Sequence, residues 1–62
     1  MNIASKEQIS DYFDIALERI QARRIYGSTK ELALAEEETA RHTGQDVETV
    51  RRVLAERAEV VA

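Results

Sequence analysis

The sequence predicts an all-α fold, one small domain of three helices, on three observations. Apolar residues recur at helical spacing in three separate stretches, and strict alternation never lasts long enough to make a strand. Two glycines divide a proline-free chain where those stretches end.

The first helix is predicted over residues 6–25. Ser5 stands as its N-cap, followed by Ile9, Tyr12, Phe13, Ala16, Leu17 and Ile20 on one stripe. Arg23 and Arg24 fall in its last turn, where cations oppose the negative end of the helix dipole, and Gly27 follows as a left-handed stop. The second helix, over 29–43, opens on Ser28, Thr29, Lys30 and Glu31, spaced as a capping box from Ser28 to Glu31. Its inward face would carry Leu32, Leu34, Ala35, Thr39, Ala40 and Thr43. That face is small and partly polar, which predicts close approach between helices and makes Ala35 a candidate break. The third helix, over 46–59, has Asp46 as N-cap and Val47, Val50, Val53, Leu54, Ala58 and Val61 at helical period. Its valines have a stiff χ1 that lowers helix propensity, so tertiary packing must hold it.

A chain of 62 residues sits near the lower limit of independent folding. Much of its 44% hydrophobic content is alanine. A core this thin supplies no more than about 3–5 kcal/mol net, so a homodimer is expected. Tyr12 and Phe13 lie on the first helix's apolar stripe, which predicts core or dimer seam over base stacking. The tail Val60, Val61 and Ala62 would either fray or join Ile3 and Ile9 in a subunit contact. Cysteine is absent, which removes disulfides and thiolate metal sites and points to a reducing compartment. No apolar run reaches the ~18 residues of a membrane span, and no basic segment leads into an apolar one at the start, so the expected setting is cytoplasmic and away from membranes.

The formal charge of −3 weighs against indiscriminate nucleic-acid binding. The charge is unevenly spread. Residues 30–38 set Lys30 against Glu31, Glu36, Glu37 and Glu38, whereas 41–57 set Arg41, Arg51, Arg52 and Arg57 against Asp46, Glu48 and Glu56. Residues 36–54, EEETARHTGQDVETVRRVL, place a small residue at Ala40, a turn glycine at Gly44, and Val50 and Val53 as anchors of the helix that follows.

This stretch resembles the helix-turn-helix of bacterial transcription regulators, including winged and lactose-repressor-like families. The resemblance covers about a third of the chain. Thr39 and Gln45 depart from the pattern, standing where aliphatic residues are usual. The resemblance implies a small, dimeric, sequence-specific DNA-binding regulator of plasmid, phage or bacterial type, with the third helix reading a palindromic site in double-stranded DNA. The DNA-contacting residues would be Arg41, His42, Gln45, Glu48, Thr49, Arg51 and Arg52. Arg51 and Arg52 would serve guanine or phosphate, Glu48 the cytosine amine, and Arg41 with His42 the backbone.

A second reading is an acidic helical protein-binding module that presents Glu36, Glu37 and Glu38 to a basic partner. Such a module would act as a phage- or plasmid-encoded inhibitor of a host or nucleic-acid-binding protein, in the manner of an anti-CRISPR. Enzymatic activity is not expected, because no nucleophile, base and orienting group can be set out at workable spacing. No metal or cofactor is implied, since His42 is the only histidine and zinc needs more ligands. The bland reading of the arginines is a solvated face balancing Glu48, Glu56 and Glu59.

Overall fold

The computed structural model describes residues 4–61, with side chains to Glu59. It is all-α: α1 spans Lys6–Ala22, α2 Ser28–Thr43 and α3 Val47–Val61. Ile3 and Ala62, named above as part of a subunit contact, lie outside the described residues, as do the side chains of Val60 and Val61.

α1 begins as expected at Ser5, whose hydroxyl accepts from the Gln8 amide while the Gln8 side chain accepts from the Ser5 amide, a complete capping box. It ends earlier than the sequence predicts. The amides of Arg23 and Arg24 bond back three residues to Ile20 and Gln21, tightening the last turn, and Arg24 then takes a left-handed conformation at φ 57°. Arg23 is therefore the C-cap, Arg24 lies beyond the helix, and Arg19 is the cation of the last turn. Gly27 is not the left-handed stop. It is extended at φ −75° and forms the N-cap of α2, its carbonyl accepting from the Glu31 amide at 2.9 Å. This shifts the helix start by one residue. Ser28 sits inside the helix, and the capping box expected between Ser28 and Glu31 does not form.

α2 runs unbroken through Ala35. Its inward face is as small as the sequence implies: Ala35, Thr39 and Ala40 are buried, whereas Leu32 is 48% exposed. Thr39 is fully buried, and its hydroxyl donates to the Ala35 carbonyl at 2.7 Å. The polar atom is thus satisfied within the helix and the side chain fills an aliphatic position without stranding a donor.

The core has two parts. Ile9, Ala40, Val50 and Val53 form one, with Ala4, Val47 and Leu54 packed against it. Phe13, Ala16 and Ala35 form the other, flanked by Tyr12, Leu17, Ile20 and again Leu54. Leu54 thus ties the two clusters together. Ile9 is buried at 2% exposure in this core, so it is not available to a subunit contact, and Ala58 at the far end of α3 is exposed. Ion pairs knit the outside: Lys6 to Glu56 at 2.7 Å and Arg57 to Asp14 at 3.1 Å join α1 to α3. Both are solvent-facing pairs of about 0–1 kcal/mol each. Among the described residues no helix is long and apolar enough to cross a membrane.

Candidate nucleic-acid interface

Three residues, Gly44, Gln45 and Asp46, join α2 to α3. Gly44 is left-handed at φ 73°, a conformation that costs an L-residue about 1–2 kcal/mol and glycine almost nothing. The amides of Gly44 and Gln45 both donate to the Ala40 carbonyl, closing the end of α2. Gln45 therefore contributes its backbone to the turn, and its side chain is half-buried.

Asp46 caps α3 as the sequence predicts. Its carboxylate accepts from the Thr49 amide at 2.8 Å, and its carbonyl accepts from the Val50 amide at 3.2 Å. Hydrogen bonding from the Thr49 side chain, then from the Thr49 amide, holds the Asp46 carboxyl below its ordinary range, and the Arg52 charge adds to this. The start of α3 is thereby fixed in direction and anchored by Val50, which is fully buried.

The exposed side of α3 carries Glu48, Arg51, Arg52, Ala55 and Glu59, with Thr49 half-buried beside them. Arg51 donates through Nε to Glu36 at 3.0 Å, a pair that spans α2 and α3. Among the described residues Arg52 has no carboxylate within ion-pair distance. Among the described residues none of the α3 arginines pairs with Glu48, Glu56 or Glu59: Arg51 is matched by Glu36 and Arg57 by Asp14, and Arg52 is in no ion pair.

The seven residues predicted to contact DNA do not form one stripe. Gln45, Glu48, Thr49, Arg51 and Arg52 gather at the turn and the first half of α3, whereas Arg41 and His42 turn toward α1. His42 stacks on Tyr12, ring centroids 4.1 Å apart and planes inclined by 11°. Arg41 lines a cleft with Arg19, Arg23 and Tyr26. The three glutamates named for the second reading also separate: Glu36 is taken up by Arg51, Glu38 lines the arginine cleft, and Glu37 alone is freely exposed. Consecutive helical residues point about 100° apart, so three in a row cannot share a face.

The sequence reading missed Arg19, Arg23 and Tyr26. Arg19 and Arg23 are spaced i, i+4, which puts both on one side of α1, but Arg23 was accounted for by the helix dipole. Among the described residues no group of three His, Cys, Asp or Glu comes together in a metal-binding arrangement. No protein-family model matches the chain, and no match is found among curated proteins or solved structures.

Proposed function

We propose that this chain is a sequence-specific DNA-binding protein of helix-turn-helix type, a small transcriptional regulator that works as a homodimer. The observation that carries the reading is the three-residue turn at left-handed Gly44, which delivers an Asp46-capped α3 whose exposed side presents, next to Thr49 and Glu48, an Arg52 in no ion pair among the described residues. Recognition helices place their N-terminal residues against base edges. In that position Arg52 donates to guanine O6 and N7, and Glu48 accepts from cytosine N4. Arg51 is held by Glu36 and supplies charge to the flanking phosphates at the cost of that exposed pair, about 0–1 kcal/mol.

Dimerisation has support from apolar side chains left outside the core. Ile15, Ile25 and Leu32 are 54%, 67% and 48% exposed, apolar surface that a second copy would cover. The acidic protein-binding alternative draws less support, because Glu36 is paired with Arg51 while Glu38 lines a cleft on another side of α2.

The test is selection of duplexes from a random pool, followed by fluorescence-anisotropy titration of the enriched sequence. Affinity should fall steeply with salt, and Arg52→Ala should weaken binding by about 1–3 kcal/mol, roughly fivefold to 150-fold. Failure to enrich any duplex, or unchanged affinity in the variant, overturns the proposal.

A further inference from the structure

A cleft of about 470 Å³ opens between the second half of α1 and the side of α2 that carries Leu34, Glu38 and Arg41. Those three positions follow one another along about 10 Å of helix. Arg19, Arg23 and Tyr26 face them across the cleft, with Ile20 and Ala22 between. Three guanidinium groups thus line one concavity, and Glu38 is its single carboxylate. Among the described residues none of the three is in an ion pair.

The rest of the molecule shows how unusual that is. The remaining residues hold six Lys and Arg against eleven Asp and Glu, so positive charge is concentrated here on an acidic protein. A cleft of similar size between α1 and α3 also carries two cations, Lys6 and Arg57, but these are matched by Glu56 and Asp14. Helix-dipole compensation accounts for Arg19 and Arg23 at the end of α1, and for Arg41 in the last turn of α2, each taken alone. It gives no reason for all three to line one cleft with a single carboxylate among them.

From this we infer that the cleft binds a nucleotide unit. Guanidinium forks match phosphate oxygens bidentately, and three of them spaced along an elongated cleft suit a ligand with more than one anionic group. The half-buried Tyr26, Ile20 and Leu34 supply an apolar surface on which a planar base rests. Glu38 accepts from a sugar hydroxyl or a base amine. The volume is within the range that small ligands occupy. The same chemistry is offered by a free nucleotide or by one unit of a nucleic-acid strand, and the site is separate from the exposed side of α3.

The experiment is a ¹H–¹⁵N correlation titration of the full chain with ADP and, separately, with a short single-stranded oligonucleotide. Saturable shifts are expected at the side-chain Nε–H groups of Arg19, Arg23 and Arg41 and at the amides of Tyr26 and Leu34, with the Glu48–Arg52 amides unmoved. Arg19→Gln combined with Arg23→Gln should weaken binding at least tenfold. Both side chains are exposed, so the helical circular-dichroism signal should be unchanged; Arg41→Gln gives the same readout from the other helix. Saturation by ADP identifies the ligand as a free nucleotide, and saturation by the oligonucleotide alone identifies a strand unit. No saturation by either, shifts confined to α3, or wild-type affinity in the variants overturns the inference. Duplex binding that depends on Arg52 is read separately, so failure of one site leaves the other standing.

Discussion

The connection from α1 to α2 and the connection from α2 to α3 each contain one glycine, but the two glycines do different things. Gly44 holds the left-handed conformation that closes α2, and the two amides that follow its helix both reach the Ala40 carbonyl. At the other connection the left-handed residue is Arg24, while Gly27 is extended and has open space where a side chain would be. The α2–α3 corner is therefore set by local backbone chemistry and capped on both sides. The α1–α2 connection carries a residue in an unfavourable conformation, and the two helices that it joins are held together by the cluster of Phe13, Ala16 and Ala35.

Removing that packing should have the largest effect. Phe13→Ala should cost about 3–5 kcal/mol, as deletion of a buried aromatic commonly does. A domain this small has a net stability of similar size, so the variant should lose its cooperative thermal transition by circular dichroism. A cooperative melt within about 1 kcal/mol of the wild type, on the order of one lost methylene, would mean that α1 and α2 are held together by something other than the Phe13 ring. Next in size is the contrast between the glycines themselves. Gly44→Ala should cost about 1–2 kcal/mol by chemical denaturation, because alanine resists positive φ. Gly27→Ala should change stability by less than about 0.5 kcal/mol, since the weaker N-cap and the less flexible unfolded chain act in opposite directions. Equal losses at the two positions would erase the distinction.

The same contrast explains what could be read in the sequence. Wherever an element was signalled by its own residues, the reading transferred: Ser5 and Asp46 cap their helices, Gly44 turns left-handed, and the stripe from Ile9 to Ile20 faces the core. It failed where two local signals competed. A glycine seven residues beyond the apolar stripe resembles a helix stop, but the tightened turn at Ile20 and Gln21 ended α1 first and left Gly27 free to cap the next helix. Ser28 then fell one place too late to cap. The candidate DNA-contacting group was legible only in part, because chain proximity grouped Arg41 and His42 with Arg51 and Arg52, whereas the helical rotation of α2 turns the first two toward α1. The arginine cleft was illegible for a related reason. Its parts lie on two helices and the connection between them, and no single stretch of sequence is strongly basic there.

A smaller effect is expected at the cap of α3. The Asp46 carboxyl is held below its ordinary range in the folded protein, first by the Thr49 side chain and then by the Thr49 amide. A depressed carboxylate pKa contributes stability that is fully present above the unfolded-state pKa and is lost as pH falls through the folded-state value. Asp46→Asn keeps a side-chain oxygen that accepts from the same amide but does not titrate. At neutral pH the wild type should therefore melt slightly above the variant, with added favour from its charge at the positive end of α3. As pH drops below the ordinary aspartate range the two melting temperatures should converge. Because every other carboxylate titrates alike in both proteins, the difference between the two curves isolates Asp46. A constant gap across the acid range would mean that the cap acts by shape alone and that its charge does not contribute.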